Sequence, residues 1–102
     1  MIIYNTTYHA HDKVAAQFVE WVKKEYLPKA LANGKISEPR LTVVLNAESN
    51  EGKNYSLQFR CQSLDILQDW YTNVGDDLVV AMTQKFGHDV AGFSTLLEEI
   101  DL

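Results

Sequence analysis

From Asn54 to Cys61 the sequence alternates with a period of two: Tyr55, Leu57, Phe59 and Cys61 fall on one side, and Asn54, Ser56, Gln58 and Arg60 on the other. Only an extended chain separates these two sets, because successive strand side chains point to opposite faces while a helix would interleave them. The segment is a strand whose two faces have different tasks, one apolar and one polar.

The flanking sequence supplies the other elements. Residues 2–9 are rich in β-branched and aromatic types and hold no Gly or Pro, which reads as a strand opening the domain. Asp12 is placed to cap a helix with apolar positions Val14, Phe18, Trp21, Val22 and Leu31, and Gly34 to stop it in a left-handed conformation. Pro28 removes the backbone bond to residue 24, so a kink or a break is expected near Tyr26 and Leu27. In residues 40–46, Leu41, Val43 and Leu45 alternate against Thr42, Val44 and Asn46 as a second strand. The polar, turn-rich residues 47–54 then form a hairpin loop leading into the third.

Ser63 is an N-cap for a second helix with apolar positions Leu64, Leu67, Tyr71, Val74, Leu78, Met82 and Phe86, closed by Gly87. Gly75, beside Asp76 and Asp77, predicts an irregularity within it. Residues 90–100 form the last strand, with Ala91, Phe93, Thr95 and Leu97 opposed to Gly92, Ser94 and Leu96. The order β-α-β-β-α-β with right-handed crossovers gives an α+β, ferredoxin-like sandwich over residues 1–102: a four-stranded antiparallel sheet with both helices on one face.

Composition narrows the partners. The 102 residues suit one domain, which at this size buries roughly 60–70% of its unfolded surface and gains from a partner subunit. Nine Lys and Arg against 14 Asp and Glu leave a net charge of −5, which argues against nucleic acid or an anionic membrane. The acidity is uneven: residues 1–50 carry six basic and five acidic side chains, residues 51–102 three and nine. Cys61 is the only cysteine, so an intrachain disulfide and a cysteine-cluster metal site are impossible, which fits a reducing cytoplasm. The first eight residues lack the charged and apolar regions of a signal peptide, and no apolar run approaches the roughly 18–20 residues of a membrane span.

With Tyr55, Leu57 and Phe59 turned to the helices, Asn54, Ser56, Gln58 and Arg60 point to the uncovered side of the sheet, joined by Val44. The last strand is apolar on both faces, so part of this open side needs cover, and a second copy related by a two-fold axis is the natural one. Val44, Asn54, Ser56, Gln58 and Arg60 are therefore the candidate homodimer face. A covered Arg60 would need a carboxylate, with Glu98 or Glu99 as candidates; the alternative is a strand-end arginine reaching solvent.

The element order, Phe18-Val19-Glu20-Trp21 on the first helix and the segment from Ser63 through Trp70-Tyr71 on the second are similar to the dimeric α+β barrel superfamily. Met1-Ile2-Ile3-Tyr4-Asn5-Thr6-Thr7-Tyr8, Glu25-Tyr26-Leu27-Pro28, Ser37-Glu38-Pro39-Arg40-Leu41, Tyr55-Ser56-Leu57-Gln58-Phe59-Arg60 and Val90-Ala91-Gly92-Phe93 resemble, more closely, a small bacterial family within it, a domain of unknown function. The resemblance implies the fold but no activity, since the superfamily holds quinol-forming monooxygenases, haem-degrading enzymes, dismutase-like enzymes and non-catalytic members.

It also implies a ligand pocket between the sheet and the helices. Trp21, Tyr26, Trp70 and Tyr71 from the helices and Tyr55, Leu57 and Phe59 from the third strand would be aimed there. Aromatics at helical spacing equally build a plain core. Of the first strand, either Tyr4, Thr6 and Tyr8 or Asn5, Thr7 and His9 face that pocket, and both choices stand open. Haem-degrading members pair a first-strand Asn with a Trp early in the second helix, as Asn5 and Trp70 would, but they need a His where this chain has Val80; His88 is the only substitute nearby.

Motif chemistry is sparse. His9-Ala10-His11 would project two rings from one face of a strand, but a polar strand end leading into a helix is the simpler reading, and no metal or other cofactor is assigned. Nucleophile-base arrangements, phosphate loops and nucleotide fingerprints are lacking, so no catalytic residue is named. The expected function is a non-catalytic dimeric module that binds a small apolar or aromatic molecule or a protein partner. The alternative is a cofactor-independent monooxygenase-like enzyme acting on a small aromatic substrate framed by Trp21, Tyr26, Trp70 and Tyr71.

Overall fold

A computed structural model describes residues 1–46 and 51–102. Strand β1 (Ile2–His11) leads into helix α1 (Ala15–Trp21), a π-helical turn (Val22–Tyr26) and helix α2 (Leu27–Leu31). Strands β2 (Ser37–Val43) and β3 (Gly52–Cys61) follow, then helix α3 (Leu64–Trp70), a second π-helical turn (Tyr71–Gly75), helix α4 (Asp76–Phe86) and strand β4 (Val90–Glu98). The four strands make one antiparallel sheet in the order β2-β3-β1-β4. This is the α+β, ferredoxin-like arrangement read from the alternation and the helical periods. Among the described residues no helix is long and apolar enough to cross a membrane.

Both interruptions lie where the sequence is weakest for a helix. Pro28 has no N–H to donate, and the π turn ends at Tyr26, just before it. Gly75 closes the second π turn. Ser63 caps α3, its hydroxyl accepting the N–H of Ile66 at 3.2 Å. Gly87 ends α4 at φ 56°, and Gly34, at φ 71°, donates its N–H to the Leu31 carbonyl at 3.2 Å.

Several boundaries differ from the sequence reading. Asp12 does not cap the first helix: β1 runs on to His11, the N-cap is Val14, and no side chain caps the turn. Strand β2 starts at Ser37, three residues before the expected 40–46 span, and ends at Val43. Pro39 is tolerated because β2 is an edge strand with an irregular register between Ser37 and Arg40. Residues 52–54 of the expected hairpin loop belong to β3, and residues 47–50 lie outside the described residues. Strand β4 ends at Glu98 rather than at residue 100.

Pairing settles the faces. Tyr4 opposes Phe59, Thr6 opposes Leu57 and Tyr8 opposes Tyr55 across β1 and β3, and all six are buried under the helices. On β4 the same face carries Gly92, Ser94 and Leu96, opposite Tyr8, Thr6 and Tyr4. The other face holds Asn5, Thr7 and His9 beside Gln58, Ser56 and Asn54, with Phe93 and Leu97 on the β4 side.

Candidate functional site

Most of the aromatics expected to frame a ligand pack on one another instead. Trp21 meets Tyr26 and Phe86 edge-on at centroid distances of 5.7 and 5.8 Å, and Phe18 at 6.4 Å. Tyr26 stacks on Phe59 at 6.3 Å, and Tyr55 lies 5.7 Å from Phe18. Trp70 packs against Tyr4 at 5.6 Å and donates its indole N–H to the Ala30 carbonyl at 2.9 Å. These offset and edge-to-face arrangements are those aromatic rings favour in a solid core. Both tryptophans are thus held against the chain's own rings.

Open space lies to one side, between β1, β4 and the second helix. A cavity of about 200 Å³ is lined by Tyr4, Thr6, Tyr8, Tyr26, Tyr71, Gly75, Leu78, Val79, Met82, Gly92, Phe93 and Ser94. A more open crevice of about 550 Å³ shares Tyr4, Tyr71 and Ser94 with it and adds Leu64, Leu67, Gln68 and Leu96. Two glycines shape the walls. A Cβ at Gly92 would stand 2.7 Å from Cδ1 of Tyr8, and one at Gly75 would stand 2.6 Å from Cζ3 of Trp70.

The lining is apolar apart from hydroxyls, which form a connected set. Thr6 Oγ1 and Ser94 Oγ are 3.0 Å apart, and Ser94 Oγ donates to the Tyr4 oxygen at 3.4 Å. The Tyr8 hydroxyl bonds with those of Thr6 and Tyr26. Burial, then the neighbouring Tyr4 oxygen, pushes the Tyr8 phenol up to about 12. Burial and the Tyr8 oxygen raise Tyr26 further still. Both phenols therefore remain protonated donors at neutral pH and cannot act as phenolate bases there.

Of the residues expected at a pocket, Tyr26 and Tyr71 line this cavity, while Trp21, Tyr55, Phe59 and Trp70 build the core beside it. Asn5, Thr7 and His9 are on the opposite face of the sheet, so the structure does not bring them together with the helix aromatics. Asn5 and Trp70, the pair that haem-degrading members would use, are separated by the sheet, and Val80 is exposed. Of the two choices left open for β1, the one with Tyr4, Thr6 and Tyr8 faces the cavity; Gly92 and Ser94 escaped the sequence reading. The glycine opposite Tyr8 was the available signal, since only Gly leaves room for that ring.

The open face is a polar lattice with an apolar border. Ser56 donates to Asn5 Oδ1 at 2.5 Å, Asn5 Nδ2 donates to Thr7 Oγ1 at 3.3 Å, and His9 Nδ1 is 2.8 Å from Asn54 Oδ1. At one end Arg60 donates Nε to Glu99 at 2.8 Å and Nη1 to Glu38 at 2.9 Å, so one guanidinium ties β2, β3 and the end of β4. Gln58 and Arg60 line a cleft of about 500 Å³ there with Ile3, Glu38, Pro39, Arg40, Phe59 and Glu99. On the β4 side Phe93 is 65% exposed and Leu97 45%. Val44, in register with Asn54 through its N–H bond to that carbonyl, borders the other side.

His9 and His11 project from this face, but His11 Nδ1 accepts the Lys13 N–H. No group of three metal-ligating side chains occurs among the described residues. Cys61 is buried, its thiol directed at the Lys35 and Ser63 carbonyls at 3.4 Å.

Comparison with known proteins is consistent with this architecture. The chain is similar to two dimeric ferredoxin-like proteins from uncultured marine organisms: one 12% identical with a TM-score of 0.62 over 100% of this chain and 99% of the other, one 11% identical with a TM-score of 0.60 over 97% of each. A de novo designed protein, Foldit4, is 5% identical with a TM-score of 0.61, over 97% of this chain and 98% of that one. At such identities the likeness shows the fold alone. No curated protein matches the chain. Residues 1–100 match the domain of unknown function DUF4286, and the chain belongs to that family.

Proposed function

We propose that this protein is a non-catalytic binding module that works as a homodimer joined through the open sheet face and takes a small molecule, or a protein partner, at the crevice beside β4. The observation that carries the reading is the open face itself. It presents Phe93 and Leu97 to solvent on a sheet side that no helix covers. Its polar groups are already paired within the chain: Ser56 with Asn5, His9 with Asn54, Arg60 with Glu38 and Glu99. Covering such a face costs little, because few donors or acceptors would lose their partners. Two structural neighbours are described as dimeric, which supports a second copy as the cover. A cytoplasmic setting fits the unpaired Cys61 thiol.

The oxygenase alternative asks for a flat slot framed by Trp21 and Trp70. Trp21 instead packs on Phe18, Tyr26 and Phe86, and Trp70 on Tyr4. The binding module is therefore the better-supported reading.

Light scattering on the purified protein at micromolar concentration tests it. The expected mass is twice the 11.6 kDa of one chain, and Phe93→Lys is expected to give a monomer with unchanged circular dichroism. A monomeric wild-type protein would overturn the proposal.

A further inference from the structure

The hydroxyls beside β4 carry one proton more than they can use. Thr6, Ser94 and Tyr4 lie in a row, Thr6 Oγ1 3.0 Å from Ser94 Oγ and Ser94 Oγ 3.4 Å from the Tyr4 oxygen. Each hydroxyl has one proton to donate. Ser94 Oγ donates to the Tyr4 oxygen, so its proton is committed, and the 3.0 Å contact with Thr6 must use the Thr6 proton. The proton left over is that of Tyr4. Among the described residues no side-chain or backbone oxygen accepts it, although Tyr4 is only 7% exposed. The Tyr4 hydroxyl is therefore a donor left to serve water or a bound molecule.

Tyr4 lines both the 200 Å³ cavity and the adjoining crevice. No charged side chain lines either space, so a buried anion or cation would find no counter-charge. An apolar cavity of roughly 150 Å³ accepts benzene, so this one has room for a single substituted ring.

We infer that the crevice selects an uncharged, largely apolar molecule carrying one hydrogen-bond acceptor, such as a carbonyl oxygen, and that the Tyr4 hydroxyl donates to that acceptor. This rests on the small-molecule part of the function proposed above.

Three probes of similar shape separate the possibilities when titrated into the isotope-labelled wild-type protein and followed by amide chemical shifts: acetophenone, ethylbenzene and benzoate. Acetophenone is expected to saturate shifts around Tyr4, Tyr71 and Ser94. Ethylbenzene, which lacks the acceptor, should bind about fivefold more weakly, the worth of one neutral hydrogen bond. Benzoate should bind more than about tenfold more weakly, since its charge would be buried unpaired. In Tyr4→Phe, which keeps the ring, the preference for acetophenone over ethylbenzene should vanish while ethylbenzene binding is retained. The wild-type comparison decides by itself should that variant fail to fold. Equal binding of ethylbenzene, tighter binding of benzoate, or a preference that survives in Tyr4→Phe overturns the inference and leaves the small-molecule reading intact. Silence from all three probes overturns that reading, and the inference with it.

Discussion

The indole of Trp70 fills the space that a side chain on Gly75 would occupy: a Cβ there would come within 2.6 Å of Cζ3 and 3.1 Å of Cη2. The two residues are five apart. In an α-helix that spacing turns them away from each other, but a π-helical turn bonds residue i to i+5 and brings them together. Gly75 is thus required by packing within a local geometry that its own lack of a side chain permits.

Gly75→Ala therefore reverses the usual sign. In an ordinary helix interior the change stabilises by about 1 kcal/mol. Here the added methyl must displace a fully buried indole, so a loss of about 1–3 kcal/mol is expected. Urea denaturation read by circular dichroism checks it, and an increase in stability would show that Trp70 yields freely.

Trp70→Phe tests the other partner. The indole N–H satisfies the carbonyl of Ala30 in the last turn of α2, one of the helix-end acceptors without an intrahelical donor. Phe leaves that buried oxygen unpaired and a void beside Tyr4. The expected loss is about 2–4 kcal/mol. An equilibrium unfolding curve within about 0.5 kcal/mol of wild type would mean that the bond contributes nothing.

The fold was legible because its periods were clean. Period two in β3 and the helical spacing around Trp21 and Leu78 each allowed a single reading, and Pro28 and Gly75 marked both helix interruptions. The β1 faces were not legible. Tyr4, Thr6, Tyr8 and Asn5, Thr7, His9 both mix polar with ring-bearing residues, and β1 is a central strand with one side buried and the other half-buried. The choice falls to long-range fit: Gly92 admits the Tyr8 ring, and Ser94 meets Thr6. Neither contact has a sequence-local signature, so the cavity they border could not be placed from spacing alone. The start of β2 was hidden for a different reason, because Pro39 disqualifies an interior strand but not an edge.

That edge holds a strained residue. Glu38 sits at φ 53°, in the left-handed region, immediately before Pro39, and its carboxylate meets Arg60. Glu38→Ala loses the carboxylate and keeps the strain, while Glu38→Gly loses both. Glycine is therefore expected to be more stable than alanine here by about 1 kcal/mol. Against wild type the glycine variant should be close to neutral, since so exposed an ion pair adds little to stability. Thermal unfolding of the three proteins in parallel decides it; alanine matching glycine would show that the bulge relaxes once the carboxylate is gone.

Alkaline titration addresses the buried phenols. The folded-state values of Tyr8, at about 12, and of Tyr26, higher again, exceed the ordinary phenol value of 10.0. A group whose value is raised by folding binds its proton more tightly in the native state, so its contribution is complete below the unfolded value and disappears as pH rises through the native one. Stability should therefore hold up to about pH 10 and fall between pH 10 and 12 as the unfolded chain ionises first. The tyrosinate absorbance of Tyr8 and Tyr26 should appear in a second, late stage, only together with loss of the far-ultraviolet helical signal. Tyr8→Phe should shrink the second stage and move alkaline unfolding to higher pH, provided the lost hydroxyl links to Thr6 and Tyr26 leave the protein folded at neutral pH. Ionisation of all five tyrosines in a single step well before unfolding would show that water reaches the cluster.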